Sequence, residues 1–220
     1  IAPPITMILE KFLNFHHFIQ LSIYFSRINF SISDINMARP KGKIIVIGGA
    51  IDKGSFAESN FEDSVEDNLN LFERGILNKI VTESKHGVDS VIEIIPTASK
   101  IPLIVGDEYM KAFKFLGAKN TNILDIRKRK DAISKDIYDR VNNADVVFFT
   151  GGDQLRLTSI IGGTPVHDLI LHKYVHEDFL YVGTSAGAAS ASNSMIYQGS
   201  SQEALLKGEI KMTSGFGLID

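Results

Sequence analysis

The residues best placed to do chemistry are Gly183-Thr184-Ser185-Ala186-Gly187, which directly follow the apolar run Phe179-Leu180-Tyr181-Val182. This is a G-x-S-x-G pattern in the strand, turn and helix context it requires, and Ala188-Ala189-Ser190-Ala191 supplies small residues for a tightly packed helix start. In such a nucleophile elbow the turn holds its serine in a strained conformation. The flanking glycines let strand and helix approach closely, so the hydroxyl stands clear at the top of a sheet. Ser185 is therefore the candidate nucleophile of an acyl-transfer reaction, with the N–H of Ala186 facing the oxyanion. The competing reading is a small-residue turn that serves packing alone.

Gly151-Gly152-Asp153-Gln154 follows a second apolar run, Val146-Val147-Phe148-Phe149. A Gly-Gly pair there allows backbone N–H groups to turn towards a carbonyl, and an oxyanion hole wants two such donors. Gly152 with Ala186 would supply the pair; taken alone, the loop reads equally well as a plain strand exit. A third glycine-rich stretch, Gly48-Gly49-Ala50-Ile51-Asp52-Lys53-Gly54, ends the run Lys43-Ile44-Ile45-Val46-Ile47 and could cradle a phosphate at a helix N-terminus. Its spacing matches neither GxGxxG nor GxxxxGK[ST], and a tight turn or a wall of another pocket is the alternative.

A serine needs a base, usually histidine, oriented by a carboxylate. Glu203 follows Ser185 in the chain order common to such hydrolases and is the candidate acid, although Ser200-Ser201-Gln202-Glu203 before Ala204-Leu205-Leu206 is also a helix-starting capping box. All 6 histidines precede Ser185. His167, His172 and His176 lie on a helical stretch and read as solvent-facing or capping residues more readily than as the base. His16 and His17 are adjacent, and adjacent positions rarely converge on one metal ion without partners elsewhere.

The elements that must position these groups are legible in the apolar pattern. Besides the runs already named, Val91-Ile92-Glu93-Ile94-Ile95 ends in Pro96-Thr97-Ala98-Ser99 and Thr121-Asn122-Ile123-Leu124 ends at Asp125. Short β-branched runs of this kind fit strands buried on both faces. Residues 62–77, 105–116 and 131–141 repeat apolar positions at helical spacing, with Gly117 placed as a C-cap. Strand and helix in alternation predict an α/β doubly wound, mostly parallel sheet with helices on both faces and functional loops at the carboxyl ends of the strands.

Composition narrows the function classes. With 44% hydrophobic and 22% charged residues, the 220-residue chain is of ordinary globular type. A net charge of -3 gives no basic field from which a nucleic-acid or anionic-membrane partner could be argued. The absence of cysteine excludes disulfides, thiolate zinc sites and a cysteine nucleophile. The chain begins at Ile1, and Met37 is the better start. Residues 1–36 are expected to be a leader, disordered or not native; polar residues interrupt them too often for the run of about 18 apolar residues that a membrane span needs.

Gly48 to Gly54, Ile95-Pro96-Thr97-Ala98-Ser99, Thr150-Gly151-Gly152-Asp153-Gln154-Leu155-Arg156-Leu157 and Gly183 to Ala188, together with Gly199-Ser200-Ser201-Gln202-Glu203 and its continuation to Gly208, resemble the cyanophycinase family. That serine peptidase family also contains aspartyl dipeptidases and is related in fold to class I glutamine amidotransferases. The resemblance runs from about Lys41 to Asp220. It implies a flavodoxin-like fold over 37–220 and hydrolysis of cyanophycin, a polyaspartate carrying arginine on its side chains, to β-aspartyl-arginine dipeptides. It further implies Ser185 as nucleophile, Glu203 as the acidic triad member and Gln154 as a substrate contact, with no metal or organic cofactor. A homodimer and a cytoplasmic location are expectations at the same level. In the family the catalytic histidine comes soon after the stretch matched by Gly215-Phe216-Gly217-Leu218, so it is expected beyond Asp220 and the 220-residue chain is expected to lack its base. An α-aspartyl dipeptidase or other isopeptidase remains open, as does a non-catalytic small-ligand-binding α/β module.

Overall fold

A computed structural model of the chain describes residues 39–48, 75–198 and 210–220. Five strands, β1 (Lys43–Ile47), β2 (Val91–Ile95), β3 (Asn120–Ile123), β4 (Val146–Phe149) and β5 (Leu180–Thr184), form one sheet in the order β1-β5-β4-β2-β3, with every pair parallel. The predicted strands are all present, three with the expected bounds and β3 and β5 shifted by a residue or two. β3-β2-β4-β5 is the flavodoxin order, and β1, first in the chain, takes the far edge beside β5. The strand order reverses between β2 and β4, so the crevice expected to hold a ligand opens above these two strands.

Helices cover both faces. α1 (Ile76–Glu83) and α2 (Pro102–Phe115) lie on one side; α3 (Lys135–Asn143), α4 (Gln154–Ile161), α5 (Pro165–His176) and the short α6 (Ala186–Ser190) contribute to the other. The alternation of β4 sorts its side chains: Val146 and Phe148 join Val105, Tyr109 and Phe113, while Val147 and Phe149 join Leu157, Ile161, Ile170 and Tyr181. Phe148 sits between Tyr109 and Phe113, with ring centroids 4.6 and 5.4 Å away.

Local chemistry explains the boundaries. Gly117, at φ +86, closes α2 in a Schellman arrangement in which Ala118 N–H reaches Phe113 O and Gly117 N–H reaches Lys114 O. The predicted helix over 131–141 is split, with a 3-10 turn at Asp131–Ile133 followed by α3, because the Ser134 side chain accepts from Ile137 N and restarts the helix. Asp153 caps α4 by accepting from Arg156 N at 2.9 Å. Pro102 and Pro165 open α2 and α5, where a missing N–H costs nothing. A two-stranded antiparallel sheet, β6 (Ser194–Gln198) with β7 (Lys211–Ser214), was not foreseen. Its strands carry only short apolar stretches, Met195-Ile196-Tyr197 and Met212, bounded by polar residues. Of the helix expected over 62–77 only its end is described, and it belongs to α1; residues 1–36 lie outside the described residues. Among the described residues no helix is long and apolar enough to cross a membrane.

One charge lies within the sheet. Glu93 on β2 is 3% exposed and its carboxylate is paired through both oxygens with Arg140 of α3, which also donates to Ile123 O. Burial pushes the Glu93 carboxyl above the usual range, with the Arg140 guanidinium opposing it. Removing the arginine leaves a desolvated acid unpaired, so Arg140→Ala is predicted to cost about 2–3 kcal/mol near neutral pH. An acid whose folded pKa is raised loses stability as pH rises through that pKa, and without Arg140 the pKa climbs further. The deficit should therefore be largest at about pH 7 and shrink towards about pH 4, as checked by calorimetric melting of both proteins across that range.

Candidate functional site

Ser185 stands between β5 and α6 with φ 49 and ψ -105, the one non-glycine at positive φ among the described residues. Such a conformation costs about 1–3 kcal/mol and persists only where its surroundings over-determine it. Here they do. Ser185 N–H donates to Ile47 O of β1 at 2.9 Å, and its carbonyl accepts from Ala189 N at 2.8 Å. A β-carbon on Gly183 would stand 2.2 Å from Gly187 O, and one on Gly187 would stand 2.5 Å from Phe149 O. Only glycine at these two positions lets α6 lie this close to β4 and β5. The residues flanking the serine, Thr184 and Ala186, are buried, while Ser185 itself is exposed. Among the described residues no side chain accepts a hydrogen bond from its Oγ.

The Gly151-Gly152 loop lies directly against it. A β-carbon on Gly151 would be 3.3 Å from the Ser185 Cβ and 3.9 Å from its Oγ. Gly152 has φ +143, and a β-carbon there would meet Ala98 O at 2.2 Å. The loop is fastened to the exit of β2 by Asp153 N–H donating to Ala98 O at 2.9 Å. The N–H groups of Gly152 and Ala186 find no acceptor among the described residues, which leaves both donors available. Loops from β2, β4 and β5 thus meet at the carboxyl edge of the sheet.

Further residues build this edge without having been singled out. Arg156 Nε donates to Thr97 O at 3.0 Å and Thr97 Oγ1 to Ile126 O at 2.7 Å, which ties the loops after β2 and β3 to α4. Both residues sit inside motifs quoted above, but nothing in their type marks them as struts. Gln154 is half-buried and its amide donates to Ile196 O of β6 at 3.1 Å, so it links α4 to the small sheet. The stretch Gly215-Phe216-Gly217-Leu218 wraps the end of α6: Phe216 N–H donates to Ser190 O at 2.6 Å, and its ring lies 5.5 Å from that of Phe149.

The histidines go elsewhere. His167 is largely buried, accepts from Gly163 N through Nδ1 at 3.1 Å and donates from Nε2 to Phe216 O at 2.9 Å. Both ring nitrogens are thus committed, and the residue anchors the stretch around Phe216. His172 and His176 stack on each other at 4.6 Å near the end of α5, and that helix leads into the amino end of β5. Ser185 lies a strand length beyond, about 16 Å at about 3.3 Å per residue. His86 pairs with Asp145 at 3.1 Å, where Asp145 also accepts from Val91 N, at the amino edge of β2. Glu203, His16, His17 and the loop after Gly48 lie outside the described residues.

The fold and site define an α/β protein that presents a strained serine between a strand and a helix at the carboxyl edge of a parallel sheet. Residues 70–220 match the model of peptidase family S51, and the chain belongs to that family. It is 35% identical over 179 residues to a cyanophycinase of Geminocystis herdmanii, covering 81% of this chain and 59% of that protein. It is 40% identical over 128 residues to a cyanophycinase of Trichormus variabilis, covering 58% and 43%. Among solved structures, a peptidase from an acI-B1 Actinobacterium superposes with a TM-score of 0.55 at 22% identity, covering 83% of this chain and 67% of the other; it shares the fold. The chain thus spans about half the length of the curated relatives it matches.

Gly152→Ala is predicted to displace the loop from Ala98 and Ser185, because it combines a left-handed backbone with a contact no β-carbon can make. A stability loss of about 1–3 kcal/mol is expected in urea unfolding, together with slower reaction of Ser185 towards a serine-directed phosphonate.

Proposed function

We propose that this protein is a serine peptidase that hydrolyses cyanophycin to β-aspartyl-arginine dipeptides through an acyl-enzyme. The observation that carries the reading is the exposed Ser185 at φ 49, held between buried neighbours with the Gly151-Gly152 loop beside it. Membership of family S51 and likeness to cyanophycinases support it. In this reading the turn is a nucleophile elbow. Ser185 Oγ gives its proton to a general base and attacks the backbone carbonyl between aspartyl units, and the C–N bond breaks as the base returns the proton to the leaving amine. Water then attacks the ester, and the serine regains its proton. The Gly152 and Ala186 N–H groups hold the oxyanion in both halves.

Glu203 is assigned as the carboxylate that orients the base, and Gln154 as a substrate contact at the mouth of the crevice. The base itself is assigned, from the likeness to the family, to a histidine beyond Asp220, since His86, His167, His172 and His176 are engaged or remote. A catalytic domain over 37–220 and a cytoplasmic location go with this reading.

Ser185→Ala is expected to lower dipeptide release from cyanophycin by about 10⁴-fold or more while leaving the melting temperature about unchanged, because alanine keeps the β-carbon at φ 49 and the lost hydroxyl makes no side-chain hydrogen bond among the described residues. Release should be assayed on the 220-residue chain and on a version extended at its carboxyl end to the length of the relatives. Activity confined to the extended protein fits the assignment of the base; full activity in the shorter chain overturns it. Hydrolysis of Asp-X dipeptides in preference to cyanophycin would instead identify an aspartyl dipeptidase. Nucleotide binding without phosphonate labelling would identify a ligand-binding module.

A further inference from the structure

We propose that Tyr181 is a positioning residue for Ser185: its hydroxyl holds the Gly187 carbonyl and thereby fixes the first turn of α6, which carries the serine and the Ala186 N–H. The inference rests on the reading of Ser185 as nucleophile. Tyr181 lies within β5 and is fully buried. Its hydroxyl donates to Gly187 O at 2.8 Å and lies 3.3 Å from Ser190 Oγ, which donates to the same carbonyl at 3.0 Å. A phenylalanine would pack against Phe149, whose ring centroid is 5.2 Å away, without placing a polar group in the core. A buried hydroxyl is costly unless it is bonded, so the phenol is tolerated here for what it grips.

What it grips is weak on its own. α6 has 5 residues, too few for helical hydrogen bonding to sustain it, and it starts from a strained serine. The Gly187 carbonyl is also the group wedged against Gly183, so its direction sets how close the helix lies to the strand. The second residue after Ser185 is therefore held by a tyrosine from within β5. Tyr109 lies in the core on the other face of the sheet. Burial raises the ionisation of both phenols above the ordinary range, that of Tyr181 furthest, so both are neutral hydroxyls at working pH.

The experiment compares wild type, Tyr181→Phe and, as a control in the same core, Val147→Ala, each in the protein form that shows activity. Tyr181→Phe is expected to lower kcat about tenfold with KM within about twofold, because ground-state binding does not depend on the angle of the Ala186 N–H. Amide exchange over 185–191 should accelerate about tenfold in Tyr181→Phe and not in Val147→Ala. Unchanged kcat, unchanged exchange in this segment, or an equal loss of kcat in Val147→Ala at similar stability each overturns the proposal. If no form of the wild type is active, the peptidase reading fails; exchange over 185–191 then decides by itself whether the hydroxyl governs the turn.

Discussion

A β-carbon on Gly183 would stand 2.2 Å from the carbonyl of Gly187, and the rest of the site depends on this contact between β5 and α6. A strand and a helix that touch this closely leave three residues to reverse the chain. The middle one cannot keep ordinary dihedrals, and Ser185 takes φ 49 as a result. Its amide must then find an acceptor outside the turn, and Ile47 O supplies it. That requirement gives β1 a role at the edge of the sheet: the first strand of the chain pairs with the last of the five and completes the seat of the serine.

Strain at one residue is held only by rigidity around it. Phe149, Tyr181 and Phe216 pack beneath α6 on one face, and Tyr109, Phe113 and Phe148 fill the other. The same two cores define the Gly151-Gly152 loop, because β4 alternates its four residues between them before the chain turns at Thr150. Asp153 then caps α4 and bonds to Ala98, which ends the loop where it can face Ser185. Backbone donors placed in this way would need no reorganisation during a reaction, as the proposed oxyanion role requires.

Much of this was legible in the sequence. Runs such as Val146-Val147-Phe148-Phe149, short and ended by turn residues, fit buried strands, and glycine at 183 and 187 around a serine predicts a close, strained turn. Strand order was less accessible, since nothing in Lys43-Ile44-Ile45-Val46-Ile47 says that its neighbour is β5. The β6–β7 pair escaped because its apolar stretches are short, Met195-Ile196-Tyr197 in one strand and Met212 alone in the other, and are bounded by polar residues. His167 could not be read either: whether an imidazole serves as base or as tie depends on Gly163 and Phe216, which only the fold brings to it.

The division of labour within the site follows from this geometry. The serine and its two neighbouring N–H donors are placed by backbone, through a turn of five residues and a loop of four, so packing of the sheet alone prearranges them. A general base is different, because an imidazole must reach the serine hydroxyl from a separate segment and be oriented by a third group. His167 shows what happens when both of its nitrogens are bonded within the scaffold: it fastens Phe216 beneath α6 and contributes rigidity. A base for Ser185 has to keep one nitrogen free for the hydroxyl. Among the described residues no histidine meets that condition within reach of Ser185: His167 is bonded through both nitrogens, and His86, His172 and His176 lie towards the amino edge of the sheet.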